Sequence, residues 1–161
     1  MQFWDVRQVP LWNSSKDRLP TPIAHRRAGR SINSAHFSPS GTKMVTATPS
    51  NTLDLLESAP TASGVGTPTK SIRPNNRTGR WLSTFRAQWN PDTFSSNKEI
   101  FVVGGMQQPR TMAVFSGDGE LLRESQGDAL TAVPSRCCFR PSADKLIVVG
   151  GNSSGRVTVA R

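Results

Sequence analysis

The sequence predicts an all-β fold built from repeated units, and three observations carry that prediction. A short pattern recurs about every 50 residues, as Ala35-His36-Phe37-Ser38-Pro39, Ala87-Gln88-Trp89-Asn90-Pro91 and Cys137-Cys138-Phe139-Arg140-Pro141. Each copy is followed by a polar turn and a β-rich apolar run, at 43–47, 99–105 and 145–151. Twelve prolines and 13 glycines punctuate short Val/Ile/Phe runs, and no window sustains a 3.6-residue apolar period, so almost no helix is expected. A fixed period of this size implies units that bury their faces against their neighbours.

Each repeat divides into strands at its turn chemistry. The first gives strands at 31–37, 43–48 and 52–57, with Ser38-Pro39-Ser40-Gly41 as the first turn. The second gives 84–89, a longer loop at 90–97, then 99–104, 111–115 and 121–124. The third gives 135–139, the turn Pro141-Ser142-Ala143-Asp144, then 145–149 and 156–160. Four short antiparallel strands per unit at this period describe a β-propeller blade. The expected organisation is the end of a blade at 1–24, blades at 25–74 and 75–126, and an incomplete last blade at 127–161.

No apolar stretch approaches the roughly 20 residues that span a bilayer, and no signal-peptide pattern opens the chain. Neither a membrane nor a small-molecule substrate is expected as a partner. Cys137 and Cys138 are adjacent on an alternating strand, so they should point to opposite faces as small packing residues, with neither a metal nor a disulfide spacing.

The chain opens with Phe3-Trp4-Asp5-Val6-Arg7, a Trp-Asp dipeptide closing a strand. Further runs stand out: Asn75-Asn76-Arg77-Thr78-Gly79-Arg80-Trp81-Leu82, Phe85-Arg86-Ala87-Gln88-Trp89 and Gly150-Gly151-Asn152-Ser153-Ser154-Gly155-Arg156-Val157. With the Phe/Trp-x-Pro repeats, these runs make the chain resemble the WD-repeat β-propellers, and among them a DNA damage-binding branch. The resemblance covers all but the Pro/Ser/Gly-rich stretch 59–69. It implies a ring of seven blades, of which this sequence supplies three and the tail of another, as the C-terminal portion of a longer protein. Met1 falling inside a strand fits that expectation. The chain departs from the family in lacking the Gly-His dipeptide before a blade, and His25 is expected to pack within one. It also lacks the aspartate between second and third strands, where Pro49-Ser50-Asn51, Gln107-Gln108-Pro109 and Asn152-Ser153-Ser154 stand instead.

Charge points to a partner. Twenty Lys and Arg against 11 Asp and Glu give a formal net charge of +9, which favours a polyanion such as nucleic acid. Strand alternation sorts the loops between two rims. Loops entering first strands, and those joining second to third strands, carry Arg26, Arg27, Arg30, Arg77, Arg80, Arg110 and Arg156, with Asp128 as the main acid. The opposite rim is mixed, with Asp92, Asp118, Glu120 and Asp144 against Lys43, Lys98 and Arg140. The arginine fork engages two phosphate oxygens at once, so the arginine-dominated rim is the expected DNA-facing surface.

Trp81 stands on the same rim beside Gly79 and Arg80, where an aromatic can stack on a base or wedge into a base step. In a damage-specific member of the family a Phe-Gln-His hairpin enters the lesion. Alignment from the Ala-x-Trp-x-Pro pattern places it on Gly79-Arg80-Trp81, which implies a wedge without lesion specificity. Packing between blades is the alternative for Trp81. Trp4-Asp5-Val6-Arg7 resembles a Trp-Asp-x-Arg docking box for the adaptor of cullin-4 ubiquitin ligases, carried by Trp4, Asp5 and Arg7. A purely structural blade ending is the alternative there.

No enzyme constellation is visible. The Gly-rich run 150–156 lacks the Gly-Lys-Ser/Thr ending of a phosphate loop and reads as a hairpin. Two distant histidines without paired carboxylates offer no acid–base machinery, and no cofactor or metal is expected. The expected role is DNA binding, to damaged or modified DNA, in a nuclear DNA-damage response or chromatin-linked DNA metabolism. The alternative is a protein-interaction scaffold serving as substrate receptor of a cullin-4 ligase.

Overall fold

The computed structural model describes residues 1–4, 21–26, 31–49, 52–57, 64–74, 85–91, 99–106, 108–128, 130–141 and 145–161. Among these there is no helix, and the strands form four antiparallel sheets. In the first sheet, β1 (Gln2–Phe3) pairs with β2 (Ala24–His25). The second has β3 (Ser34–Phe37), β4 (Lys43–Ala47), β5 (Leu53–Glu57) and β6 (Lys70–Ile72) in that order. The third runs β7 (Gln88–Trp89), β8 (Ile100–Gly105), β9 (Thr111–Ser116) and β10 (Leu121–Gln126). The fourth holds β11 (Arg136–Phe139), β12 (Val148–Gly151) and β13 (Val157–Ala160). Sequential strands are neighbours throughout, which is the topology of WD-repeat propeller blades.

The repeat pattern falls where the sequence places it. Phe37, Trp89 and Phe139 each end the first strand of their sheet, at β3, β7 and β11. β6 is a strand that the sequence pattern does not reveal. It is three residues long, with Lys70 and Ser71 exposed, so only Ile72 carries an apolar signal. His25 is the second difference: it is exposed on β2 opposite Gln2 instead of packing within a blade.

Alternate residues of each middle strand serve two different core layers. Val45, Ala47, Leu53 and Leu55 of the second sheet meet Ala87, Trp89, Phe101, Val103, Ala113 and Phe115 of the third. Ile100, Val102, Met112 and Val114 turn the other way, onto Leu130, Cys137, Phe139 and Val148. Met44 and Leu56 likewise pack on Phe3 and Ala24. Burial on both faces is why β8 reads as a continuous apolar run and not as alternation. The central layer is aromatic: Trp89 meets Phe101 edge-on at 5.1 Å, and Phe101 stacks on Phe115 at 5.4 Å.

The Val-Val-Gly-Gly endings of β8 and β12 also have a packing cause. A Cβ on Gly104 would overlap the carbonyl group of Pro134, and one on Gly150 would crowd Met112 and Pro134. Pro134 therefore sits fully buried between two glycines, and its carbonyl accepts a hydrogen bond from Cys137 Sγ at 3.4 Å. Cys137 is buried and Cys138 exposed, on opposite faces of β11 as alternation requires.

Candidate nucleic-acid interface

Strand directions define the rim. The ends of β2, β6 and β10, the starts of β3, β7 and β11, and the β4–β5, β8–β9 and β12–β13 connections all lie on one side. Three of the predicted arginines are described there, and each is held by a neighbour.

Arg26 follows β2 and is half-buried. Its guanidinium lies 4.0 Å from the Asp54 carboxylate on β5, and its backbone N–H donates to Met1 O at 3.0 Å. The Met1 amino group donates in return to Arg26 O at 3.0 Å. Arg26 thus fastens the first sheet to the second, and Asp54 offsets the charge it offers to a ligand. Asp54, which also accepts from Ser71 Oγ at 2.6 Å, is an acid of this rim that loop sorting does not count, because it lies inside a strand.

Arg110 is half-buried at the start of β9, and its Nη1 donates to Met106 O across the β8–β9 connection. Arg156 is exposed and its Nη1 donates to Thr131 Oγ1, which reaches from the fourth sheet's hairpin to the segment before β11. That hairpin is the Gly-rich run. Asn152 Oδ1 accepts from Ser154 N at 2.9 Å and from Arg156 N at 3.3 Å, and Gly155 takes φ +75° to close the turn. It is a hairpin and not a phosphate loop. Between residues 108–110 on one side and 126–128, Leu130 and Thr131 on the other lies an open cleft of about 600 Å³, lined by Arg110 and Asp128.

Arg27, Arg30, Arg77, Arg80 and Trp81 lie outside the described residues, as do Asp5 and Arg7. Trp4 is described, follows β1 and is 40% exposed.

Two arginines at the inner strands escape loop sorting: Arg136 opens β11, and Arg86 stands two residues before β7. Arg86 precedes Ala87 and Arg136 precedes Cys137, the same position in successive repeats, with Ser34 before Ala35 in the first. Both arginines are exposed while the following residue is buried. The repeat register is the signal that could have found them. Inner strands β3 and β7 are tied by Trp89 Nε1 donating to His36 O at 2.9 Å. Partial burial, and then the positive charge of Arg86, hold the His36 imidazole below its ordinary pKa. The same two causes, in the same order, lower Arg136.

The opposite rim is built differently. Lys43 Nζ meets Asp118 Oδ1 at 2.6 Å, and Ser40 N donates to Glu99 Oε1 at 3.0 Å, both joining the second sheet to the third. Burial pushes the Glu99 carboxyl upward, but hydrogen bonds from Ser40 and Ser38 and the charge of Lys43 more than offset it, leaving the pKa lowered. Acids there are answered by a lysine and hydroxyls. Cations on the first rim have Asp54 and Asp128 as their described acids.

No family model matches the chain. It is 36% identical over 158 residues, 96% of its length, to WD repeat-containing protein 76 of Mus musculus. It is 33% identical over 159 residues, 98% of its length, to WD repeat-containing protein 76 of Xenopus laevis. Over 98% of its length it is 28% identical to the DNA damage-binding protein CMR1 of Phaeosphaeria nodorum. The chain spans 24%, 25% and 30% of the lengths of these relatives.

Proposed function

The chain belongs with the WD-repeat proteins, to which it is related over nearly its whole length and whose blade topology it carries, and on that premise we propose that it forms a DNA-binding face of a β-propeller. The observation that carries this reading is the gathering of arginines on one rim, in a chain similar to proteins named for binding damaged DNA. Arg110 and Arg156 are anchored by one hydrogen bond each, which fixes their direction and leaves further donors for phosphate oxygens. In the sequence's loop order Arg27, Arg30, Arg77 and Arg80 are assigned to the same rim, and this reading gives Trp81 the role of an aromatic for stacking. The protein acts, in this reading, in a nuclear DNA-damage response or chromatin-linked DNA metabolism.

The test is a salt titration of duplex binding. Neutralising several phosphates makes log K fall linearly with log salt, by roughly 0.9 per phosphate contacted. Affinity that does not change with salt would remove the arginine rim from the explanation.

A second reading rests on Trp4. Its partly exposed side chain lies at the far end of β1, on the rim opposite the arginines, and Asp5 follows it in the sequence. This placement supports docking to a cullin-4 ligase adaptor, with the chain as part of a substrate receptor. Arg7→Ala should then reduce adaptor co-purification and leave DNA binding intact, and full retention of the adaptor would leave Trp4-Asp5-Val6-Arg7 as a blade ending only.

A further inference from the structure

Three successive inner strands start at the arginine rim, and the residue before each repeat's small residue is Ser34, Arg86 or Arg136. β11 lies beside β7, and β7 beside β3, so this row crosses the molecule on adjacent strands. Arg86 and Arg136 are exposed, and no described carboxylate pairs with either. Three other described arginines on this rim have a hydrogen-bond or ion-pair partner, Arg26 with Asp54, Arg110 with Met106 and Arg156 with Thr131, while Arg73 is exposed at the outer edge after β6. At the third position of the row, Ser34 Oγ is buried without a hydrogen-bond partner among the described residues.

Packing does not require this arrangement. The neighbouring positions Ala87 and Cys137 are buried and fill the core, whereas the arginines are exposed and add mutual repulsion. Arg86 is close enough to disfavour the charged forms of both Arg136 and His36. Like charges brought together without a counter-charge are satisfied by an anion that bridges them.

We propose that Arg86 and Arg136 form a phosphate clamp at the inner end of the arginine rim, engaging the backbone of a nucleic-acid strand. The proposal rests on the DNA-binding reading and adds to it a strand path. The polyanion would not stay on the outer loops at Arg110 and Arg156, but would cross inward over the starts of β7 and β11. Guanidinium forks suit phosphate oxygens, and two forks on adjacent strands suit one phosphate or two consecutive ones.

The experiment measures binding of a labelled duplex to the purified protein between about 50 and 200 mM salt. It compares the parent with three double variants: Arg86→Ala with Arg136→Ala, Arg86→Lys with Arg136→Lys, and Arg110→Ala with Arg156→Ala. The inner alanine pair should weaken binding roughly tenfold or more and flatten the salt slope by roughly one to two units, about one per phosphate released. The lysine pair should keep most of the slope, since it keeps the charge. Melting temperature should not fall in the inner alanine pair, because a repulsion is removed. Loss of binding in the outer pair with full retention in the inner alanine pair would overturn the clamp and leave the DNA reading standing. A parent that binds no duplex overturns both. A large fall in the melting temperature of the inner alanine pair would make the arginines structural and overturn the clamp alone. Poly-glutamate is titrated alongside the duplex, and its loss in the inner alanine pair with duplex binding unchanged would also overturn the clamp and identify an acidic protein as the partner.

Discussion

The carbonyl group of Pro134 occupies the space that a side chain on Gly104 would need. Pro134 belongs to the segment entering the fourth sheet, and Gly104 to the middle of the third. One absent side chain therefore sets how closely the two sheets approach. The same approach leaves the Pro134 carbonyl within reach of Cys137 Sγ.

Gly104→Ala should destabilise the protein by about 1–3 kcal/mol, the usual cost of overpacking a tight core. Gly151→Ala, one residue past the crowded Gly150, has open space at the added Cβ and should change stability little. Thermal melts of the two variants side by side check this. Equal melting temperatures would contradict the close approach.

Trp89→Phe keeps most of the aromatic layer but removes the Nε1–H that reaches His36 O. The lost hydrogen bond should cost about 0.5–1.5 kcal/mol. Phe101→Ala empties the centre of the same layer, where the ring is 0% exposed, and should cost about 3–5 kcal/mol. Denaturant unfolding gives both values. The reverse ranking would mean that the layer is held chiefly by the indole hydrogen bond.

His36 supplies a pH dependence whose sign follows from its lowered pKa. The unfolded imidazole takes up a proton near its ordinary value of 6.5, and the folded one only at lower pH. Its contribution is therefore present above 6.5 and is lost as pH falls through the folded value. Glu99, also lowered, contributes above its ordinary value of 4.5 and loses that contribution as pH falls below it. His36→Gln should flatten the melting-temperature profile on the acid side of pH 6.5. An unchanged profile would show that His36 does not titrate differently on folding.

The two thiols should react in order. Burial, and then the neighbouring Cys138, push the Cys137 thiol up to about 12, while Cys138 is exposed. A thiol reagent at neutral pH should modify a single cysteine in the native protein and both after denaturation, because the thiolate is the reactive form. Mass spectrometry of the peptide carrying both residues locates the label, and native modification of Cys137 would contradict its burial.

Trp81 is tested by two measurements on one variant. As a stacking platform, Trp81→Ala should cost about 1–3 kcal/mol of nucleic-acid affinity and leave the melting temperature nearly unchanged. As a residue packed between blades, it should cost about 3–5 kcal/mol of stability. A large fall in melting temperature would assign the indole to the core and leave the arginines as the DNA-facing residues.

The period of the pattern ending in Phe37, Trp89 and Phe139, with the turn chemistry after it, determined by itself the all-β class, the strand order and the rim on which each loop emerges. Those properties follow from chain direction and alternation, which are local. What the tertiary structure decided is which charges are satisfied. Asp54 and Arg26 are 28 residues apart, and Arg156 and Thr131 are 25 apart; only the stacking of sheets brings such pairs together. β6 was illegible because an outermost strand buries one face at most, so Lys70 and Ser71 carry no apolar signal. Arg86 and Arg136 were hidden for the opposite reason. Each stands beside a strongly apolar repeat, and their shared register has meaning only once β7 and β11 lie side by side. Local sequence specifies which way a side chain points, but electrostatic pairing depends on distance through space, which the packing of one blade on the next alone sets.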